Sequence, residues 1–330
     1  MLKLLDFDYT LPKELIAQYP LPERDSARLL VLNRQDGTIE HRIFKDIIDY
    51  LRKDDLLMLN DSEVLPARII SSRLTGGKVE VLLLNRKDGF KFGALIKPSR
   101  IKLKEKIIFN GGKISGEITA KNEITFSAKD IKEVYAQGTT PLPPYIKRKP
   151  EDLDKTYYQT VYAKNKGSIA SPTAGLHFTK GLIAKIESRG INIVYITLHI
   201  SYSTFKPVKT KDITTHKMEP EYFLMPQETI KMIEKTQLNK GRIIAVGTTS
   251  CRTLESYALG IKEGYTDLFI YPGYEFKRVD CLLTNFHLPR TTLFMLVCAF
   301  AGGELIKKAY QEAIDKKYRF YSYGDAMLII

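Results

Sequence analysis

From residue 155 to the C-terminus, short apolar runs alternate with segments of helical period. No other feature restricts the fold of this chain as tightly. INIVYITLH, RIIAV and VDCLLTNF read as strands, and PQETIKMIEKTQL, TSCRTLESYAL, TTLFMLVCAFAG and GELIKKAYQEAIDK read as helices. A strand that returns to its sheet through a helix runs parallel to its predecessor, so the pattern predicts an α/β domain with a largely parallel sheet. The first 67 residues add to it. ARLLVLNRQDGTIEHRIF predicts a hairpin turning near Asp36-Gly37, KDIIDYLRKDD a helix through Ile47, Ile48 and Leu51, and DLLMLN a strand.

Between residues 68 and 154 the texture changes. GGKVEVLLLNRKDGFKFGALIKPS and KIIFNGGKISGEITAKNEITFSA alternate apolar with polar residues and are broken by Gly, the pattern of a small antiparallel barrel or sandwich. The chain thus reads as an α/β domain over residues 1–67 and 155–330, interrupted by an inserted β-barrel domain over residues 68–154. The insert holds 18 Lys and Arg against 10 Asp and Glu, in a chain whose net charge is +13. It leaves through the Pro-rich, basic TTPLPPYIKRKP. Such a surplus suits a polyanionic partner, RNA first among them, although a merely basic composition would give the same count.

With 44% apolar residues in 330, a sizeable core is available. No apolar run reaches the length of a membrane span, and acids and a Pro interrupt MLKLLDFDYTLPKEL where a signal peptide needs an unbroken apolar stretch. A soluble cytoplasmic protein is expected. Cys251, Cys281 and Cys298 form no C-x-x-C, so neither a disulfide nor a zinc knuckle is expected, and Cys298 reads as a core thiol. No two His share a helix at ligand spacing, so no metal centre is expected. The glycine-rich dinucleotide fingerprint, the P-loop, H-E-x-x-H and G-x-S-x-G are all missing.

Polar residues instead gather where strands end, which is where open α/β sheets bind ligands. In IIAVGTTSCRTLES, Gly247, Thr248, Thr249 and Ser250 open a helix suited to a polar or anionic group, and Arg252 and Glu255 share its face. A well-capped helix with an internal ion pair explains the same residues. LLTNFHLPRTTL places Asn285 and His287 after a strand, with Thr291 or Thr292 to cap the next helix. His287 is a candidate acid or base, or a structural hydrogen-bonder. ITLHISYSTFKPV supplies His199, Ser201, Ser203 and Thr204, and SIASPTAGLHFT supplies Thr173, Gly175 and His177. THKMEPEYF adds His216, Glu219 and Glu221. Arg24, Asp25 and Arg28 share one loop; Asn60, Asp61 and Arg68 share another. Both loops could be simple turn chemistry. The C-terminal YRFYSYGDAMLII groups Tyr318, Tyr321 and Tyr323 around Gly324 and Asp325, as core, stacking surface or cation cage.

Taken in order, YPLPERDSARLLVL, LNDSEVLPARI, TGGKVEVLLL, SPTAGLHFT, GTTSCRTLES, TNFHLPRTTLFMLVCAFAG and YRFYSYGDAMLI resemble the QueA family, the S-adenosylmethionine:tRNA ribosyltransferase-isomerases of queuosine biosynthesis. The resemblance runs in one register from about Phe7 to the C-terminus. It implies an α/β domain interrupted by a β-barrel, and an enzyme that uses S-adenosylmethionine as a ribosyl donor. No resident cofactor is implied, the donor being a co-substrate. The implied acceptor is the aminomethyl group of 7-aminomethyl-7-deazaguanine at the wobble position of a tRNA with a GUN anticodon. The product is epoxyqueuosine-tRNA, and adenine and methionine leave. A monomer is expected.

That chemistry calls for a base at the carbon beside the sulfonium, an acid or hydrogen-bond donor for adenine, and a neutral amine. His177, His199 and His287 become the candidates for proton transfer. Thr248, Thr249 and Arg252 are the candidates for donor or anion binding. Arg24, Asp25, Arg28, Asn60, Asp61, Arg68, Thr173, Gly175, Thr204, Gly247, Glu255, Asn285, Tyr323 and Asp325 complete the expected substrate contacts. The chain departs from the family pattern at HISYSTF, where Ser201 and Ser203 stand for two glycines, and at HKMEPE, where Glu219 stands for a His. Two other readings compete: an S-adenosylmethionine-dependent RNA methyltransferase, which lacks here its glycine-rich donor loop, and a non-catalytic RNA-binding paralogue, for which the basic insert would suffice.

Overall fold

The strands, in chain order, are β1 (Arg28–Leu32), β2 (Ile39–Ile43), β3 (Leu56–Asn60), β4 (Ser62–Val64), β5 (Arg68–Arg73), β6 (Lys78–Asp88), β7 (Lys91–Lys97), β8 (Lys106–Phe109), β9 (Ile114–Ala120), β10 (Glu123–Ser127), β11 (Gly138–Thr139), β12 (Asn165–Ser168), β13 (Asn192–Leu198), β14 (Glu221–Leu224), β15 (Ile243–Val246), β16 (Glu263–Thr266), β17 (Cys281–Asn285) and β18 (Ala326–Ile329). The helices are α1 (Ile131–Tyr135), α2 (Asp152–Tyr157), α3 (Lys180–Ser188), α4 (Gln227–Leu238), α5 (Gly247–Ala258), α6 (Thr292–Ala301) and α7 (Gly303–Asp315). The computed structural model describes residues 2–109, 112–205 and 207–330, the side chains of Ser203 and Phe205 excepted.

Nine strands form the main sheet in the order β16-β14-β13-β3-β15-β17-β18-β1-β2. Its centre, β13-β3-β15-β17, is parallel, and β18 pairs parallel with β1. The remaining neighbours are antiparallel, including the expected β1–β2 hairpin, which pairs Arg28 with Ile43. Successive side chains of a strand leave on opposite faces. Leu30, Leu32, Leu56 and Met58 therefore enter the core beneath α4 to α7, while Leu29, Val31, Leu57 and Leu59 enter the core beneath α3. The apolar TLFMLVCAFA of α6 is buried almost throughout and half the length of a membrane span. No described helix is long and apolar enough to cross a membrane. All three cysteines are buried thiols.

The insert is a barrel. β5-β6-β7-β10-β9-β8 run antiparallel, and β8 closes on β5 through Ser72↔Ile108. Its interior is Ile69, Val79, Val81, Phe92, Ile118 and Ile124 with their neighbours. The short parallel pair β4–β12 joins barrel and main sheet.

One local expectation changes in form: in place of an α-helix through KDIIDYLRKDD the chain makes a 3-10 turn over Phe44–Asp49, and a turn through Asp54, at φ +70°, follows before β3. The Pro-rich exit packs: Leu142 and Ile146 join Val64, Tyr158, Leu176 and Tyr323 in a small core. Arg148 there makes a bidentate pair with the buried Asp154, at 2.7 and 2.6 Å.

Candidate active site

β3, β13, β15 and β17 run the same way, so their C-terminal ends share one edge of the sheet. A cavity of about 70 Å³ lies there. Gly247, Thr248 and Thr249 reach it from the end of β15, and Thr284, Asn285 and His287 from the end of β17. Thr173 and Ser171 close it from the SIASPTAGLHFT stretch, Thr204 from the turn after β13, and Tyr145 and Tyr321 as a ring pair 4.0 Å apart.

Helix α5 begins at Gly247, whose φ of +89° turns the chain sharply out of β15. No side chain caps this helix, which leaves the first-turn N–H groups to whatever fills the cavity. Ser171 Oγ, Thr249 Oγ1 and Asn285 Oδ1 are buried and without hydrogen-bond partners. Native interiors rarely leave such atoms unsatisfied, and three around one cavity make it the candidate place for a polar ligand. By contrast α6 is capped by Thr291, whose Oγ1 accepts the Phe294 N–H.

His287 lines this cavity with Nε2 hydrogen-bonded to Thr284 Oγ1 at 2.8 Å. Burial pushes its imidazole down to about 3. His177 lies behind the cavity. Its Nε2 accepts from Asn285 Nδ2 at 3.1 Å, and its ring stacks on Phe44 at 4.9 Å. Burial, with the Arg24 and Arg319 charges added, pushes it down to about 3 as well. Both rings are neutral at pH 7 and poor bases there.

His199 is placed differently. It ends β13 and faces a cleft of about 990 Å³ between the barrel and the main sheet. Leu84, Asn85, Arg86, Lys132 and Tyr135 line the barrel side; Ser201, Glu219, Tyr222 and Tyr265 line the other. Ile200 lines both cleft and cavity. The His199 ring stacks on Tyr222, 5.8 Å away and tilted by 22°. Its Nδ1 has no hydrogen-bond partner. Burial lowers its pKa, and the charge of Asp61 works the other way.

A family model described as "Queuosine biosynthesis protein" matches residues 4–329. The chain belongs to that family. It is 55% identical to the S-adenosylmethionine:tRNA ribosyltransferase-isomerase of Sulfurihydrogenibium sp. (strain YO3AOP1), over all of both chains. It is 46% identical to the protein of that name from Aquifex aeolicus (strain VF5), again over all of both. The crystal structure of an S-adenosylmethionine tRNA ribosyltransferase from Thermotoga maritima superposes with a TM-score of 0.58 at 37% identity, covering 98% of this chain and 100% of that one.

Within this family member, Thr173, Thr204, Gly247, Thr248, Thr249, Asn285 and His287 come together in the cavity, and His199 stands in the adjoining cleft. Arg24 and Tyr323 meet His177 in a small recess on its far side. Arg24 there donates to the Leu176 and Thr156 carbonyls, at 3.0 and 2.7 Å. Tyr323 donates to Asp154 at 2.7 Å. The other expected contacts lie elsewhere. Asp25 accepts from Thr179 on a surface hollow. Asp325 accepts the backbone N–H groups of Arg28 and Arg319. The Arg28 guanidinium lies over Tyr318 at 3.7 Å. Arg68 pairs with Glu80 in the barrel at 2.7 Å. Asn60 bonds both backbone groups of Leu198, and Asp61 holds Asn165 and Thr197, so these two staple the end of β3 to β13 and β12. Gly175 packs closely under Tyr162.

Arg252 and Glu255 do not pair with each other. Glu255 accepts the backbone N–H groups of Lys277, Arg278 and Val279 and the Tyr274 hydroxyl. Arg252 spends its guanidinium on Glu221 and on the Leu268 and Thr266 carbonyls. Glu221 in turn accepts from the Ser201 N–H at 2.7 Å and from Thr204 Oγ1 at 3.1 Å. A buried ion pair thus ties the cavity's helix to the turn that separates cavity from cleft. Ser201, one departure from the family pattern, is held through its backbone; the side chain of Ser203 lies outside the described residues. Glu219 lies exposed at the rim of the cleft, and His216 sets its ring edge-on to Phe269 at 5.3 Å. Ser171 and Tyr145 line the cavity without being among the expected contacts. Nothing marks Tyr145 within a Pro-rich stretch, and Ser171 was visible only as a neighbour of Thr173. Among the described residues no group of three His, Cys, Asp or Glu could hold a metal ion.

Proposed function

We propose that this chain transfers the ribosyl unit of S-adenosylmethionine to the aminomethyl group of 7-aminomethyl-7-deazaguanine at a tRNA wobble position. The unit then isomerises, giving epoxyqueuosine-tRNA and releasing adenine and methionine. The observation that carries the reading is the cavity of unpaired polar atoms, Ser171 Oγ, Thr249 Oγ1 and Asn285 Oδ1, adjoining a cleft that contains His199. In this reading the cavity takes the donor. The uncapped start of α5 receives its carboxylate, and Thr248, Thr249 and Asn285 hold its polar groups. The cleft takes the acceptor nucleotide, and the basic barrel lies along the anticodon arm.

His199 is the base in this reading. The sulfonium acidifies the neighbouring carbon, and a neutral imidazole that lines the cleft can take its proton. His287 and His177 stay neutral and serve by hydrogen bonding. The donor is a co-substrate and no resident cofactor enters the scheme. The partner is a tRNA with a GUN anticodon, and the enzyme works as a cytoplasmic monomer.

The test uses S-adenosylmethionine labelled separately in ribose and methyl, with tRNA carrying the aminomethyl-deazaguanine. Ribose label in the tRNA, with free adenine and methionine, is the expected result. Methyl label in the tRNA would replace the reading with a methyltransferase. Tight tRNA binding with neither label transferred would leave a non-catalytic RNA binder.

A further inference from the structure

His199 is held from a direction that its own strand does not explain. β12 pairs with β4 as Asn165↔Ser62 and Lys166↔Glu63, then skips to Ser168↔Val64. Gly167 is the extra residue of this bulge, with φ at +155°, a value that side-chain-bearing residues rarely adopt. A Cβ at Gly167 would lie 2.6 Å from Cε1 and Nε2 of His199 and 2.8 Å from Cδ2. The ring edge therefore rests against bare backbone. Its face is covered by Tyr222.

The backbone on either side of this contact is fixed. Ile200 N–H donates to Ser168 Oγ at 2.9 Å, Ile169 N–H donates to the Ile200 carbonyl at 3.0 Å, and His199 N–H donates to the Tyr222 carbonyl at 2.9 Å. With both chains locked, only the imidazole can give way to added bulk.

We infer that Gly167 is a positioning residue for His199: the bulge in β12 makes a seat that, with Tyr222, fixes where the imidazole meets the cleft. The inference rests on the reading of His199 as the base. Because β4 leads directly into the barrel, the seat also ties the ring to the root of the insert.

Gly167→Ala tests this in the full-length enzyme with modified tRNA and S-adenosylmethionine. A displacement of about 1 Å costs about 10²-fold in rate, so kcat should fall by about that factor while the donor's KM changes little. The ring moves outward, so its NMR titration and the acidic limb of the pH–rate profile should both shift upward. His199→Gln separates the two claims. If it leaves kcat intact, the reading of His199 fails. If it abolishes turnover while folded Gly167→Ala keeps wild-type kcat or an unshifted His199 titration, the positioning role fails. Should Gly167→Ala not fold, Tyr222→Ala removes the other wall of the seat and leaves the backbone of β12 alone: a lowered kcat with a shifted His199 titration supports the seat, and wild-type kcat with an unshifted titration overturns it.

Discussion

In the small cavity His287 is bonded through Nε2 to Thr284 and pushed down to about 3, while across Ile200, in the far larger cleft, the His199 ring stacks on Tyr222 with its Nδ1 buried and unpartnered. Both rings follow strands of one sheet, both are partly or wholly withdrawn from water, and both are lowered by burial. They differ in what surrounds them. The cavity is ringed by unpartnered hydroxyl and amide atoms, groups that bind; the cleft is lined by an imidazole, a group that can also accept a proton. The proposed division gives binding to one compartment and proton transfer to the other.

The strongest way to break this division is His199→Gln. Loss of a general base is worth about 10²–10⁴-fold, so kcat should fall by that much while the Kd for S-adenosylmethionine, measured calorimetrically without RNA, stays put. A matching loss of donor affinity would place His199 among the donor contacts. The next largest effect concerns the strut between the compartments. Arg252→Met leaves the carboxylate of Glu221 buried and unpaired, which should cost about 3–5 kcal/mol in urea unfolding. Adding Glu221→Leu should recover most of that loss. If the single variant is neutral, the pair does not brace the turn.

The sheet was legible because its signals are local and periodic: β1–β2, β3, β13, β15 and β17 each announce themselves within their own residues. The strands of the insert were legible for the same reason, but their closure into a barrel depends on the pairing of β8 with β5, which no local pattern announces and which the resemblance implied. That polar residues would gather at one edge of the sheet was legible from topology, since Gly247, Asn285 and His199 all stand at the ends of parallel strands. What each polar side chain does there was not. Arg252 and Glu255 look alike paired or unpaired along a helix, and only the fold brings Glu221 from β14 to one and the 277–279 backbone to the other. Asn60 and Asp61 read equally as ligand contacts or turn formers until β13 and β12 are seen beside them. Tyr145 enters the cavity only because the exit from the barrel folds back onto the main domain.

Acidification sharpens the contrast in protonation. Unfolded His177 and His287 take up protons near the ordinary value of 6.5, whereas the folded rings resist down to about 3. Between those limits the unfolded state binds more protons, so stability falls as pH drops from 6.5 toward 3. Replacing His287 by Gln should flatten that slope in thermal melts; an unchanged slope would mean its ring already titrates in the fold. Within the cavity, Thr249→Val removes one unpaired hydroxyl and keeps the volume. If Thr249 Oγ1 meets the donor, Kd should rise about tenfold, the worth of one hydrogen bond of about 1.4 kcal/mol, with kcat at saturation unchanged.

The smallest effect asks whether the cleft faces RNA at all. Lys132 is exposed on α1 and lines the barrel side, where a phosphate of the acceptor strand would pass. An exposed cation against one phosphate contributes mainly by releasing a counterion, so its removal lowers the salt slope by about 1 and weakens binding by a similar factor for every sequence. Lys132→Gln should therefore reduce tRNA affinity a few-fold at low salt and very little at high salt, with donor Kd untouched. Lys235→Gln on α4, outside the cleft, supplies the reference for a generic change of net charge. If the two substitutions shift the slope equally, the +13 charge attracts RNA as a whole and the cleft has no special part. If only Lys132 matters, the phosphate path runs along the barrel side of the cleft, and the acceptor base must enter on the side where His199 waits.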